Sequence, residues 1–260
     1  MHSPDLRGCP NCGAENVEKY CANCGQRAVE ELRPSLHDLL HEALHELSHV
    51  DGKIVRTIGL LLFHPGLLTL EFFQGKRARS VSPVRLYLLA SVLFFGIMSV
   101  TPSLQVHFTV SKESDARLSR AAEKMNRDPS IFAHAAAAAY PKAMFILMPL
   151  FGLLVFAFYF RKERLYIPHL YFAVHYHAFA FTIFALAAAL SLIHWGGIVI
   201  IRAILILAVV VYLAIALRRV YGGSRFLTAV KAAGILAIYS IALSVTMLAL
   251  AYVTMRRLQT

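Results

Sequence analysis

The chain has 260 residues, 58% of them hydrophobic and 16% charged, with a formal net charge of +11 and a mean hydropathy of +0.58. A soluble domain is less apolar and more charged, and the apolar residues here fall in long runs, so the composition weighs against a water-soluble domain and points to the membrane. The basic excess fits Lys and Arg beside anionic lipid headgroups on a cytoplasmic face better than a nucleic-acid surface.

The N-terminal stretch, MHSPDLRGCPNCGAEN, is polar and contains no apolar segment of the secretory type. The four cysteines are therefore expected in a reducing cytosol, as free thiols or metal ligands and not as disulfides. CPNCG at 9–13 and CANCG at 21–25 form an internal repeat. Each C-x-x-C-G offers two thiolates from one tight turn, and its glycine lets the backbone bend around a metal. Cys9, Cys12, Cys21 and Cys24 together supply the tetrahedral sulfur set of a structural zinc, one per chain, with rubredoxin-like iron as the alternative. Such a closed set has no open position for catalysis. A module of about 30 residues cannot bury a useful core, so the metal is what should fold residues 1–30.

HDLLHEALHELSH, residues 37–49, contains two overlapping H-E-x-x-H patterns. Leu36, Leu39, Leu40, Ala43, Leu44, Leu47 and Val50 recur at helical spacing, and His37, His41, His45 and His49 follow the opposite, polar side. Neighbouring histidines at i and i+4 can share a metal. A peptidase also needs a third ligand and an open site, and no downstream carboxylate presents itself. The segment reads as an amphipathic helix on the bilayer surface or on the protein itself. A non-peptidase metal or proton site at His41 and His45 stays open.

Residues 53–80, KIVRTIGLLLFHPGLLTLEFFQGKRARS, are apolar but broken at His64-Pro65-Gly66, and each half is too short to span. They predict two short helices lying in the interface or a shallow re-entrant pair, with Pro65 opening the second helix and Gly75 closing it. Lys76, Arg77, Arg79 and Arg85 mark a basic membrane surface.

Five apolar segments follow, at about 84–106, 142–160, 169–193, 197–217 and 231–254, each near the ~20 residues that cross a bilayer. Basic clusters at 76–85, 161–164 and 218–231 fall on one side of a five-span chain, which assigns that side and the cysteines to the cytoplasm and leaves the C-terminus outside. The 107–141 segment is then external, charged and partly helical, and its alanine run 135–139 extends the second span. The third span carries PHLYFAVHYHAF, residues 168–179. Ionisable groups at membrane depth are costly and face the protein interior. His169, His175 and His177 are therefore either functional groups or neutral, hydrogen-bonded residues that fix helix packing. Arg202 fits a snorkelling role. No glycine-rich phosphate loop, G-x-S-x-G elbow or Ser-His-Asp set can be assembled.

The paired cysteine knuckles, SLHDLLHEALHELSHVDGKIVRTI, HPGLLTLEFFQGKRARSVSPVRLYLL and HLYFAVHYHAFAF, in that order, resemble a bacterial family of membrane proteins carrying the domain of unknown function 3667. The resemblance covers most of residues 9–95 and 169–181. It implies a zinc-ribbon-like module followed by a multi-span membrane domain, and it implies no activity. It puts weight on His41, His45, Pro65, Gly66, Gly75, Lys76, Arg77, His169, His175 and His177.

The expected protein is thus an all-α polytopic membrane protein of about five transmembrane helices with an N-terminal four-cysteine zinc-ribbon-like module. The module spans 1–30, surface or re-entrant helices span 35–80, and the transmembrane domain spans 84–260. The expected location is a bacterial inner membrane, multi-pass, with the N-terminus cytoplasmic. The leading functional expectation is a non-catalytic zinc-ribbon protein that contacts anionic lipid and a cytoplasmic protein partner. The alternatives are a metalloenzyme or metal handler, in which His41 and His45 meet the third-span histidines, and a small transporter or channel.

Overall fold

The computed structural model of the chain describes residues 8–15, 20–26, 53–101, 108–109, 116–193 and 196–258. The histidine-rich stretch 37–49 lies outside the described residues. Among the described residues eight helices follow in chain order: α1 (Lys53–Phe63), α2 (Leu67–Phe73), α3 (Pro83–Val100), α4 (Ala116–Arg127), α5 (Ser130–Tyr159), α6 (Tyr166–Leu190), α7 (Ile198–Tyr221) and α8 (Arg225–Arg257). The cysteine stretches carry an isolated antiparallel bridge, Gly8 to Glu15, and no strand occurs among the described residues.

Helices α5, α6, α7 and α8 are each long and apolar enough to cross a membrane. α1 and α2 pass the same test only as a pair, bent by 117° at their break, which is the geometry of a broken span or a re-entrant loop. The bend falls at His64-Pro65-Gly66, as the sequence predicts. Gly66, not Pro65, immediately precedes α2, with φ 77°. That left-handed conformation suits glycine because it has no Cβ. Gly75, also at φ 77°, follows the last residues of α2.

The helix bounds depart from the expected segments for local reasons. The first expected span, 84–106, stops at Val100. Thr101 precedes Pro102 and is extended, at φ −103° and ψ 135°, which is the conformation that a following proline favours. The 18 residues of α3 reach about 27 Å, slightly short of a ~30 Å hydrocarbon core. The second expected span begins at Ser130 instead of 142, and it does include the alanine run 135–139. α8 has 33 residues, or about 50 Å, and so exceeds the core and must tilt or protrude.

α6 is the central helix. Of its most apolar stretch 72% is buried inside the protein, against 33%, 17% and 11% for α5, α7 and α8. Phe172, Ala173, Ala178 and Phe179 of α6 share one core with Leu86 and Ala90 of α3, Phe151 and Val155 of α5, Leu213 and Leu217 of α7, and Ile235 of α8. The outer spans instead expose Ile200, Ile204 and Leu207 of α7 and Ile241, Val245 and Leu248 of α8. Such a surface suits hydrocarbon and not water. A second, smaller core joins Ala121, Ala122 and Met125 of α4 to Phe132 and Ala136 of α5 and to Ala251 and Met255 of α8. It places the 116–136 region and the end of α8 on one face of the bundle.

The opposite end is basic. Lys231 Nζ donates to Phe158 O at 2.8 Å and lies 4.3 Å from the Tyr159 ring centroid. Arg219 Nη1 donates to Pro65 O at 2.8 Å. Arg56 Nη1 donates to Arg79 O at 2.7 Å. Tyr159 also stacks on Tyr221, and Phe72 packs on Tyr171, so the helix ends beside the basic clusters at 76–85, 161–164 and 218–231 lie at one end.

Candidate metal centre

The two C-x-x-C-G stretches fold alike. Cys9 N donates to Ala14 O and Gly13 N to Cys9 O, each at 2.8 Å. Cys21 N donates to Gln26 O and Gly25 N to Cys21 O, again at 2.8 Å. Gly13 and Gly25 take φ 76° and 70°. The internal repeat in sequence is thus a repeat in backbone geometry, and each copy aims its two sulfurs at the other copy. Cys9 Sγ lies 3.6 Å from Cys24 Sγ, and Cys12 Sγ lies 3.5 Å from Cys21 Sγ. All four sulfurs lie within 4.8 Å of one another.

These distances fit a metal. Four sulfurs at ~2.3 Å from a tetrahedral zinc stand about 3.8 Å apart, close to the spacings seen. All four positions are cysteines, so the set would be closed and structural. The thiols are unequally prepared for it. Burial pushes the Cys9 thiol up to about 11. The Asn11 side chain hydrogen-bonds Cys24, and with the Gln26 backbone it draws that thiol down to about 6. The Ala14 backbone lowers Cys12. At neutral pH Cys24 is thus ready as a thiolate, and a metal must displace the proton of Cys9.

The module is docked on the chain beyond it. Gln26 is buried, and its side-chain amide is used at both ends. Nε2 donates to Gly75 O at 2.7 Å, and Oε1 accepts from Arg77 N at 3.0 Å and Ala78 N at 3.1 Å. Gly75 packs so closely on Pro10, between the first two cysteines, that a Cβ would lie 3.2 Å from its ring. The basic residues of this loop are only partly engaged. Arg77 lies over the Phe72 ring at 4.7 Å from its centroid, Lys76 Nζ donates to Gln74 Oε1, and Arg79 is exposed. Arg85, in the first turn of α3, is buried.

His169, His175 and His177 are all buried. Each meets a hydroxyl from a different element. His169 Nε2 donates to the Glu163 carbonyl at 3.1 Å, which leaves Nδ1 of the neutral ring to accept from Tyr221 at 2.8 Å. His177 is the opposite tautomer. Its Nδ1 donates to Ala173 O at 2.8 Å, and its Nε2 accepts from Tyr239 at 2.9 Å. His175 Nδ1 shares a hydrogen bond with Thr69 Oγ1 at 3.0 Å. Aromatic rings enclose these pairs: Phe151 stacks on Tyr176 and meets His177 and Tyr239 edge-on, with centroids 5.0 to 5.1 Å away. α6 is thereby bonded to α7, α2 and α8 by one histidine each. Both ring nitrogens of His169 and His177 are occupied, and the three rings do not converge on a shared point. Among the described residues, the four cysteines are the group of metal-binding side chains that come together. His41 and His45 lie outside the described residues.

Several residues of these sites carry no signal in the sequence. Gln26 and Asn11 lie in or beside the knuckles, where any polar residue would look ordinary. Thr69, Tyr221 and Tyr239 read as a helix residue and two interfacial aromatics. A search for hydroxyls able to satisfy intramembrane histidines would have raised them, since unpaired polar groups in hydrocarbon are costly.

The fold and the cluster define the class: among the described residues, the helices include four able to cross a membrane, or five spans with the bent α1–α2 pair, and a cysteine cluster that could hold a metal lies at the basic end. Residues 51–95 match the model of the family described as "Protein of unknown function (DUF3667)". The resemblance read from the sequence is thus shown over that segment, which holds α1, α2, the docked 75–78 loop and most of α3. The match does not extend to the cysteine module or to α6. No curated protein and no solved structure matches the chain.

Proposed function

We propose that the protein is a non-catalytic, multi-pass protein of a bacterial inner membrane whose cysteine module holds one structural zinc and presents a cytoplasmic protein partner with a rigid surface. The observation that carries this reading is the closed four-sulfur cluster, within 4.8 Å, docked at the end where the basic clusters gather. That end faces the cytoplasm, where Lys76, Arg79, Arg161 and Arg164 meet anionic headgroups. The neutral, paired histidines of α6 support a packing role and not a second metal centre.

Two measurements test the reading. Trypsin should cut after Arg161 and Arg164 in inverted membrane vesicles and leave them intact in right-side-out vesicles; the reverse pattern would overturn the orientation. A partner cross-linked to the wild-type chain should be lost in Cys21→Ser while membrane insertion persists. Retention of that partner without zinc would overturn the partner role.

A further inference from the structure

The 75–81 loop joins the bent α1–α2 pair to α3, and it is tethered from two directions. From the membrane side, Arg56 Nη1 donates to Arg79 O at 2.7 Å and Val81 N donates to the fully buried Thr57 Oγ1 at 3.0 Å. From the cysteine side, Gln26 alone contributes three hydrogen bonds across 49 to 52 residues of sequence. Gln26 is not a free surface residue. Its own carbonyl accepts the Cys21 N–H that closes the second knuckle, so its backbone position depends on the fold around the cysteines. Beyond the loop, Arg77 lies over Phe72, and Phe72 packs on Tyr171 of α6 with centroids 4.1 Å apart. An unbroken line of contacts therefore runs from Cys21 through Gln26, Arg77 and Phe72 to the central helix.

We propose that Gln26 is a metal-dependent clasp: with the cysteine cluster filled it holds the Gly75–Ala78 backbone, and on loss of the metal it releases that loop. The proposal rests on the structural-zinc reading above. Without metal a segment this small has no core to keep the second knuckle formed, and the Gln26 amide loses the fixed position that lets one side chain satisfy three backbone groups. The loop then loses its hold from the cysteine side and keeps its membrane-side tethers at Arg79 and Val81, the Arg77 contact with Phe72 and the Lys76 N–H bond to Glu71 O.

The loop itself provides the assay, because Lys76, Arg77 and Arg79 are trypsin sites. The full chain is reconstituted in nanodiscs, and cleavage after these three residues is timed by mass spectrometry in single-hit conditions. Cuts after Arg161 and Arg164, exposed at the same end, serve as the internal control. Three samples are compared: the zinc-loaded chain, the same chain after chelation, and zinc-loaded Gln26→Ala. The expected result is a rise of about tenfold or more in cleavage at 76–79 for both altered samples, because local opening sets the cleavage rate. Gln26→Ala should keep its metal, and Gln26→Glu, which retains the acceptor and loses the donor, should fall between. A rise on chelation with none in Gln26→Ala would overturn the clasp, and so would a rise in Gln26→Ala with none on chelation. Unchanged cleavage in both samples, with one zinc bound, would overturn the clasp and leave the structural-zinc reading standing. A chain that purifies without metal and binds none would overturn that reading and the metal dependence together.

Discussion

Gly66→Ala should be among the most damaging single-methyl changes in the protein. Gly66 sits at the bend between α1 and α2 with φ 77°. A left-handed conformation costs a residue with a Cβ about 1–2 kcal/mol. The same Cβ would also lie 2.9 Å from Ala216 O, 3.1 Å from Ala216 Cα and 3.3 Å from Val220 Cγ2. Two of these atoms are backbone of α7 and cannot rotate aside, so α2 must lift from α7, an overpacking strain of about 1–3 kcal/mol. The sum is about 2–5 kcal/mol. Gly222 supplies the control. It takes φ 71° and ψ −169°, an extended positive-φ conformation nearly confined to glycine, yet an added Cβ would meet nothing within 4 Å, so Gly222→Ala should lose only a conformational part, about 1–3 kcal/mol, with no packing strain. The assay is reversible unfolding of both variants in mixed micelles against the wild type. A loss at Gly66 no larger than its conformational part, about 1–2 kcal/mol, would refute the close approach of α2 to α7.

Three further outcomes are expected. Zinc affinity should rise by about tenfold or more per pH unit between pH 7 and 9, because the metal must displace the proton held on the buried Cys9 thiol, pushed up to about 11; competition with a chromophoric chelator would contradict this if affinity stayed flat. A double-mutant cycle of His177→Phe and Tyr239→Phe should give a coupling of about 0.6 kcal/mol, the average of interhelical hydrogen bonds in membranes, and no more than about 1.7, and zero coupling would dissolve the pair. Thr57→Val should lose about 1–3 kcal/mol in the same micelle unfolding, because the buried Val81 N–H is left without its acceptor, while an unchanged stability would show that this tether is idle.

What could be read from the sequence follows from how local each feature is. The cysteine knuckles are local, since spacing and glycine alone dictate a tight turn with two sulfurs on one side, and the geometry repeats faithfully in both copies. The bend at His64-Pro65-Gly66 is local too. Burial of the α6 histidines was legible because the bilayer leaves an ionisable group little choice. Their partners were not, because Thr69 stands 106 residues from His175 and Tyr239 stands 62 from His177, and helix-period patterns do not say which faces meet. The end of α3 could have been placed better, since Thr101-Pro102 announces it. Gln26 was invisible because its role is defined entirely by a loop 49 residues away.

Metal analysis of the purified full-length chain, combined with X-ray absorption at the zinc edge, tests the central claim most directly. The expected result is one zinc per chain with four sulfurs at about 2.3 Å, lost in Cys21→Ser and unchanged in His175→Ala. A chain that binds no metal, or one whose second equivalent disappears with His175→Ala, would contradict a single structural cysteine site.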